Sequence, residues 1–282
     1  MPFTIRNRRG LAFTLVVTCC TCLIIGIMLL RNNVAVHTNN LQIKAGPNLA
    51  TTTIGTVNRG DRVQIITKKH QWAQVVYQHQ KIGWVPNWLL SGHPHLKTAG
   101  PLAEASIVLD PGHGGSDSGA LSNSNQPEKR YTLALARQVA ARLRAAGTNV
   151  TMVRDHDQTV ALKRRPGFAT KAQANLFVSF HFDSSTVPGS ASGFTTYYYH
   201  PGHSKQLAQA VNLQLTGLGL ENKGVQFGDY LVIRDTTVPA VLLEMGYINN
   251  QTDFQKIKSK AYQQRVANEV TAGLQRYLKT NY

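Results

Sequence analysis

Ile107-Val108-Leu109-Asp110-Pro111-Gly112-His113-Gly114-Gly115 is an apolar run that ends in a glycine-rich turn around a histidine. Two further stretches repeat the design: Leu176-Phe177-Val178-Ser179-Phe180 stops on His181, and Val241-Leu242-Leu243 stops on Glu244. Continuous apolar runs mark strands buried on both faces of a mostly parallel sheet. Ligands of open α/β sheets gather beyond the carboxyl ends of such strands. If the three strands share one sheet, two imidazoles and a carboxylate converge on one edge. That is a metal-assisted hydrolytic site in outline.

Outward from these strands, the chain alternates apolar strands with helical patterns, as an α/β domain does. Pro127 stands where first-turn prolines stand. Tyr131, Leu135, Val139 and Leu143 then recur at four-residue spacing, with Arg130, Arg137 and Arg144 on another face. Gly147 ends that helix. Asn149 to Val153 reads as a strand, Leu162 to Ala174 as a helix, Gly193 to Tyr199 as a strand and Ser204 to Leu215 as a helix. Tyr230 to Ile233 and Ala240 to Glu244 read as strands, and Tyr262, Val266, Val270 and Leu274 mark a final helix. This domain is expected over residues 105–282.

The loop at His113 lacks the Gly-Lys-Ser/Thr ending of a phosphate-binding loop and the spacing of a dinucleotide fingerprint, so its histidine favours metal. Asp117 and Gly119 continue the loop and shape it. Glu128 follows Pro127 in the first helical turn, where its carboxylate points back to the sheet edge. A glutamate there is either a metal ligand or simply one favoured by the helix dipole. Asp183, two residues beyond His181, could accept the second imidazole N–H of a ligand histidine. Glu244 follows three buried aliphatics with no cation beside it, so its proton affinity should be raised. That suits a general base; a fourth metal ligand or a structural carboxylate are the alternatives.

The chain has 282 residues, with 30 Lys+Arg against 14 Asp+Glu, a net charge of +16. Such a charge implies polyanionic surroundings. No nucleic-acid motif is present and aromatics do not interleave with the basic residues, so an anionic cell envelope is the expected setting. Residues 11–30 carry no charge, enough for one bilayer crossing. Arg6, Arg8 and Arg9 precede the run and only Arg31 follows, which keeps residues 1–10 in the cytoplasm and everything after the helix outside. No small-x-small cleavage site follows, so a single-pass signal anchor in the cell membrane is expected, with a secreted form if the segment is cut. Cys19, Cys20 and Cys22 all lie inside it. The exported part is therefore cysteine-free, and any metal there uses nitrogen and oxygen ligands.

Residues 36–91 read as a small all-β unit. Leu41-Gln42-Ile43 alternates, Ala45-Gly46-Pro47 turns, and Arg62 to Ile66, Trp72 to Tyr77 and Ile82 to Val85 supply further short strands. Leu41 to Pro47, Gln71 to Val75 and Gly83 to Val85 resemble the start, middle and end of bacterial SH3 domains, whose members commonly bind cell-wall peptides. Residues 92–104, which include Gly92-His93-Pro94-His95, form a linker.

The whole region from about 106 to 279 resembles the zinc-dependent N-acetylmuramoyl-L-alanine amidases of the type 3 family. Leu109 to Ala120 matches the family's Leu-Asp-Pro-Gly-His-Gly-Gly-x-Asp-x-Gly-Ala element. Glu128-Lys129 with Leu133 to Ala136, Arg154 to Asp157, Ser179 to Asp183 and Val241 to Asn250 match four others, with Tyr247 replacing a phenylalanine. The resemblance implies a mixed, mostly parallel six-stranded sheet flanked by helices. It implies one zinc ion held by His113, Glu128 and His181, with Glu244 as the catalytic carboxylate. Arg154, Asp183 and Asn250 are expected beside the metal or the substrate. The implied reaction is hydrolysis of the amide between the muramoyl lactyl group and L-alanine of peptidoglycan. Peptidoglycan and anionic wall polymers are the expected partners, together with the membrane and without nucleic acid. Ser184 to Gly193 is too short for the helix with which some members cover their zinc. A catalytically dead wall-binding protein and a zinc peptidase acting on the stem peptide are the rival classes.

Overall fold

The computed structural model describes residues 8–91 and 96–282. His93 and His95 of the expected linker and most of the segment expected in the cytoplasm lie outside the described residues. The chain divides into two compact units: Met1–Pro47 with Thr52–Gly92, and Asn48–Thr51 with His93–Tyr282.

Helix α1, Arg8–Asn32, covers the uncharged run. Its threonines return their hydroxyls to the helix backbone, Thr14 Oγ1 to Gly10 O at 3.0 Å and Thr21 Oγ1 to Val17 O at 2.8 Å. Among the described residues no helix is long and apolar enough to cross a membrane. The side chains of residue 25 and residues 27–31, on which the expected anchor also draws, lie outside the described ones.

Six antiparallel strands follow: β1 Asn33–Ala35, β2 Leu41–Lys44, β3 Thr53–Val57, β4 Arg62–Lys69, β5 Trp72–Tyr77 and β6 Lys81–Pro86, in the order β1-β4-β5-β6-β2-β3. Leu41, Ile43, Val57, Val63, Ala73, Val75 and Val85 are buried residues of one face of β2 to β6. Trp72 is buried, while Trp84 and Trp88 are half-buried. A short helix, α2 Asn87–Leu90, closes the unit.

The second unit contains β7 Ser106–Pro111, α3 Glu128–Ala145, β8 Asn149–Met152, a 3-10 turn Leu162–Arg164, α4 Gly167–Lys171, β9 Leu176–Asp183, β10 Phe194–Tyr198, α5 His203–Gln214, β11 Asn222–Phe227, α6 Leu231–Arg234, β12 Ala240–Tyr247, α7 Gln251–Ile257 and α8 Lys260–Asn281. Its sheet runs β11-β10-β12-β9-β7-β8. Only β10 and β12 pair antiparallel; the other four pairings are parallel. This is the expected mixed, mostly parallel sheet, and its central strands carry the apolar runs. All six residues of β7 are buried, as are the first seven of β12. Each such Val, Leu, Ile or Phe contributes roughly 1.5–3 kcal/mol through burial. Val108, Phe177, Ala240 and Leu242 pack under α4 and α6 with Ala169, Val232 and Ile233. On the other face α3 lies on β7 and β9 and against α8.

Three assignments differ from the sequence reading. Tyr230 to Ile233 is not a strand: Tyr230 caps the one-turn helix α6. The sixth strand is instead Asn222–Phe227, a polar edge strand with no buried residue. The expected helix Leu162 to Ala174 is broken at Arg165-Pro166 into the 3-10 turn and α4, because proline cannot donate to the preceding turn.

Candidate metal centre

Each parallel strand delivers its chemical residue to the same edge. Glu244 on β12 stands in register with His181 on β9, and Pro111 of β7 is in register with Phe180. Beyond Pro111 the chain turns at once. His113 takes φ +60°, a left-handed conformation uncommon outside glycine, which sends its imidazole back over the sheet edge. Gly112 lets the two histidines meet, since a Cβ there would lie 2.2 Å from His181 Cε1. The imidazole centroids are 4.8 Å apart and nearly perpendicular.

Glu128 opens α3 and joins the two rings. Its Oε2 lies 3.0 Å from His113 Nε2 and its Oε1 3.0 Å from His181 Nδ1. The backbone N–H groups of Ala120 and Phe182 also donate to it, each at 3.0 Å. Burial opposes ionisation, but the hydrogen bonds and charges of both histidines outweigh it and hold this carboxyl far below the usual range. His113 Nδ1 is bound to Asp117 at 2.9 Å, which leaves Nε2 as the atom facing the centre. Burial lowers the proton affinity of His113, yet Glu128 and Asp117 raise it overall.

One donor atom each from His113, Glu128 and His181 lies within 4.8 Å of the others. Two imidazole nitrogens and a carboxylate oxygen are a donor set that catalytic zinc takes, with a fourth position left for solvent or substrate. Glu244 is buried beside them, and its Oε2 has no hydrogen-bond partner. Burial first, then the charges of Glu128 and Asp183, push its proton affinity well up. A buried carboxylate oxygen without a donor is costly. A cation at the neighbouring ligands would relieve that cost, so the residues present fit a metal centre. The surrounding cavity of about 510 Å³ is walled by Val160, Leu162, Leu231 and Leu242 and opens past Asp183 and Tyr230. Residues 184–193 form a loop without a helix.

The other expected site residues sit differently. Asp183 lines the cavity, but it makes no hydrogen bond to His181. Its Oδ1 accepts from Ser184 N at 2.8 Å, and its carboxylate faces the Tyr247 phenol, which is pushed up to about 12 by burial and by that carboxylate. Arg154 is 1% exposed and does not line the cavity that holds His113, Glu128 and His181. It binds Pro111 O at 3.0 Å, Gly112 O at 2.8 Å and Lys129 O at 2.8 Å, pinning the His113 turn to α3. Asn250 caps α7, accepting from Thr252 N at 2.9 Å and Asp253 N at 3.2 Å, and donates to Ala191 O at 3.0 Å.

Arg165 was not singled out from sequence. Its buried guanidinium pairs with Asp110 Oδ1 at 2.7 Å and donates to Pro111 O at 3.0 Å and His113 O at 2.8 Å, while Ser179 Oγ donates to Asp110 Oδ2 at 3.1 Å. The signal was Asp110 itself, since a carboxylate in a strand buried on both faces demands a cation.

This arrangement is a cluster that could hold a metal ion at the edge of a mixed α/β sheet. Residues 107–276 match the N-acetylmuramoyl-L-alanine amidase family, and residues 39–91 match the bacterial SH3 domain family. The chain therefore belongs to the N-acetylmuramoyl-L-alanine amidase family. It is 36% identical over 251 residues to a probable cell wall amidase LytH of Staphylococcus saprophyticus, spanning 85% of this chain and 82% of that one. The catalytic domain of CwlV, an N-acetylmuramoyl-L-alanine amidase from Bacillus (Paenibacillus) polymyxa var. colistinus, superposes with a TM-score of 0.60 at 36% identity, covering 62% of this chain and 98% of that chain. An N-acetylmuramoyl-L-alanine amidase from Clostridium difficile 630 does so with a TM-score of 0.61 at 30% identity, covering 63% and 98%.

Proposed function

We propose that this chain hydrolyses the amide between the lactyl group of N-acetylmuramic acid and L-alanine of the peptidoglycan stem, with zinc held by His113, Glu128 and His181 and with Glu244 as general base. The observation that carries this reading is the buried, partnerless Oε2 of Glu244 beside three converging ligand atoms. Zinc, when bound, supplies a Lewis acid for the amide carbonyl and acidifies water. Glu244 accepts the proton of the attacking water and returns it to the nitrogen as the C–N bond breaks, leaving a lactyl carboxyl and a free alanine amine. Its raised proton affinity suits both halves of that transfer. Asp117, bonded to His113 Nδ1, holds that ring with Nε2 turned inward, the nitrogen that would ligate the ion.

The remaining segments support delivery. The SH3 unit holds the chain on peptidoglycan. Helix α1 anchors it in the cell membrane with the SH3 and amidase domains outside, a reading supported by the uncharged run and the arginines before it. Arg130, Arg137 and Arg144 lie along one face of α3 and form no ion pair among the described residues, which suits anionic wall polymers. The test is digestion of purified sacculi by the full-length protein followed by mass spectrometry. New muramoyl carboxyl and alanine amine termini are the expected products. Released terminal D-alanine would instead assign a stem-peptide peptidase, and no release with intact sacculus binding would assign a wall-binding protein.

A further inference from the structure

Beyond the mouth of the metal centre the surface is aromatic. Tyr230 lines the cavity and is 38% exposed. Its ring meets Tyr197 edge-on, with centroids 5.1 Å apart. Gly228 permits that meeting, because a Cβ there would lie 2.6 Å from Tyr230 and 2.9 Å from Tyr197 ring atoms. The preceding residue, Phe227, is 60% exposed. Its ring lies 5.4 Å from Tyr199, tilted by 36°, and 6.3 Å from Tyr198. Gly228 N donates to Tyr198 O at 2.9 Å, so Phe227 is held at the end of the sheet edge.

An edge strand ordinarily ends in charge or proline to discourage pairing. Here β11 reads Asn222-Lys223-Gly224-Val225-Gln226 and then places a phenylalanine in water. A large apolar ring left exposed among neighbouring rings marks a contact surface, and of these rings Tyr230 is the one that reaches the cavity. Polar groups fringe the rings: Asp229, paired with Arg234 at 2.8 Å, and His200, whose Nε2 lies 2.8 Å from Arg234 O. Flat apolar faces bordered by hydroxyls, a carboxylate and an imidazole match pyranose rings, whose C–H faces are apolar and whose rims carry hydroxyls. A peptide would instead pair along the free backbone edge of β11, and would not need the exposed rings at its end.

We propose that Tyr199, Phe227 and Tyr230, with Asp229 and His200 at their border, form a saccharide-stacking platform continuous with the cleft, which takes sugar rings of the glycan strand next to the muramoyl residue being cleaved. The identity of that polymer rests on the amidase reading above; the surface itself does not. The platform makes the enzyme prefer muramoyl peptides embedded in a strand over isolated ones.

Two measurements on the full-length protein test this. The first is binding of peptide-free GlcNAc–MurNAc oligomers, which needs no turnover. Phe227→Ala is expected to weaken it about fivefold to tenfold, and Phe227→Trp to restore it. The second compares KM for muramoyl peptides carried on long strands with KM for single-disaccharide muropeptides. Phe227→Ala is expected to raise the ratio by a similar factor, with Phe227→Trp returning it to that of the parent. Equal affinity of parent and Phe227→Ala for the oligomers overturns the proposal, as does an equal rise in KM for both substrate lengths, the mark of a peptide contact or a structural role. A chain that binds oligomers through Phe227 but cleaves no muropeptide would sink the amidase reading and leave the platform standing.

Discussion

Glu128 and Glu244 are buried carboxylates on one sheet edge, yet their surroundings drive them in opposite directions. Desolvation raises the proton affinity of both. Glu128 meets two imidazoles and two backbone N–H groups, which keep it ionised. Glu244 meets only other carboxylates, which raise it further. Glu244→Gln is therefore expected to cut kcat about 10²–10⁴-fold while metal content, read by plasma mass spectrometry, stays that of the parent. In the metal-free protein the same change should also stabilise the fold by about 1–3 kcal/mol near neutral pH. A group with a raised folded pKa gives most stability below its unfolded value of about 4.3 and loses it as pH climbs through the folded one. The advantage of glutamine should accordingly vanish on acidification, and denaturant melts across pH would reveal it. His181→Ala or Glu128→Gln is expected to lose the metal and the activity together. Gly112→Ala, which drives a methyl into His181, should lower metal affinity by about 10–100-fold even where the protein still folds.

At the level of elements, the site exists because parallel strands end together and their loops are braced from behind. Arg165 and Arg154 supply that bracing through the carbonyls of Pro111, Gly112 and His113. Arg165→Met would leave Asp110 charged, buried and unpaired, a loss of about 3–5 kcal/mol. A thermal melt little different from the parent would contradict this role for the pair. The strands bearing His113, His181 and Glu244 were legible because a strand buried on both faces must be apolar throughout, and the interruption at its end stands out. The edge strand Asn222–Phe227 was not legible, since a strand with no buried residue carries neither run nor alternation. Tyr230 to Ile233 misled for the converse reason. Four apolar residues are too few to distinguish a strand from one buried helical turn, and Val232 and Ile233 are buried from α6.

For the whole molecule, chelation and truncation separate chemistry from delivery. Exhaustive chelation of the full-length protein is expected to abolish muropeptide cleavage and zinc to restore it. Removal of residues 1–32, which spares β1, should leave the cleavage of small muropeptides intact and release the protein from the membrane fraction, read by sedimentation of lysed cells. Reversing Arg130, Arg137 and Arg144 to glutamate should weaken binding to anionic wall polymer and flatten its salt dependence, because exposed charges act through a screened field. The sequence by itself determined the SH3-like and α/β segments, the mostly parallel sheet and the candidacy of His113, His181 and Glu244, since each is written in local pattern: apolar runs, glycine-rich turns and residue types at strand ends; Glu128 needed the family resemblance. Only the tertiary structure decided which side chains touch. That Asp117 rather than Asp183 bonds a histidine of the cluster, that Arg154 and Asn250 bond loop carbonyls, and that Phe227 meets Tyr199 are all facts of distance. They depend on strand order, register and the left-handed turn at His113, which bring together residues that no sequence spacing relates.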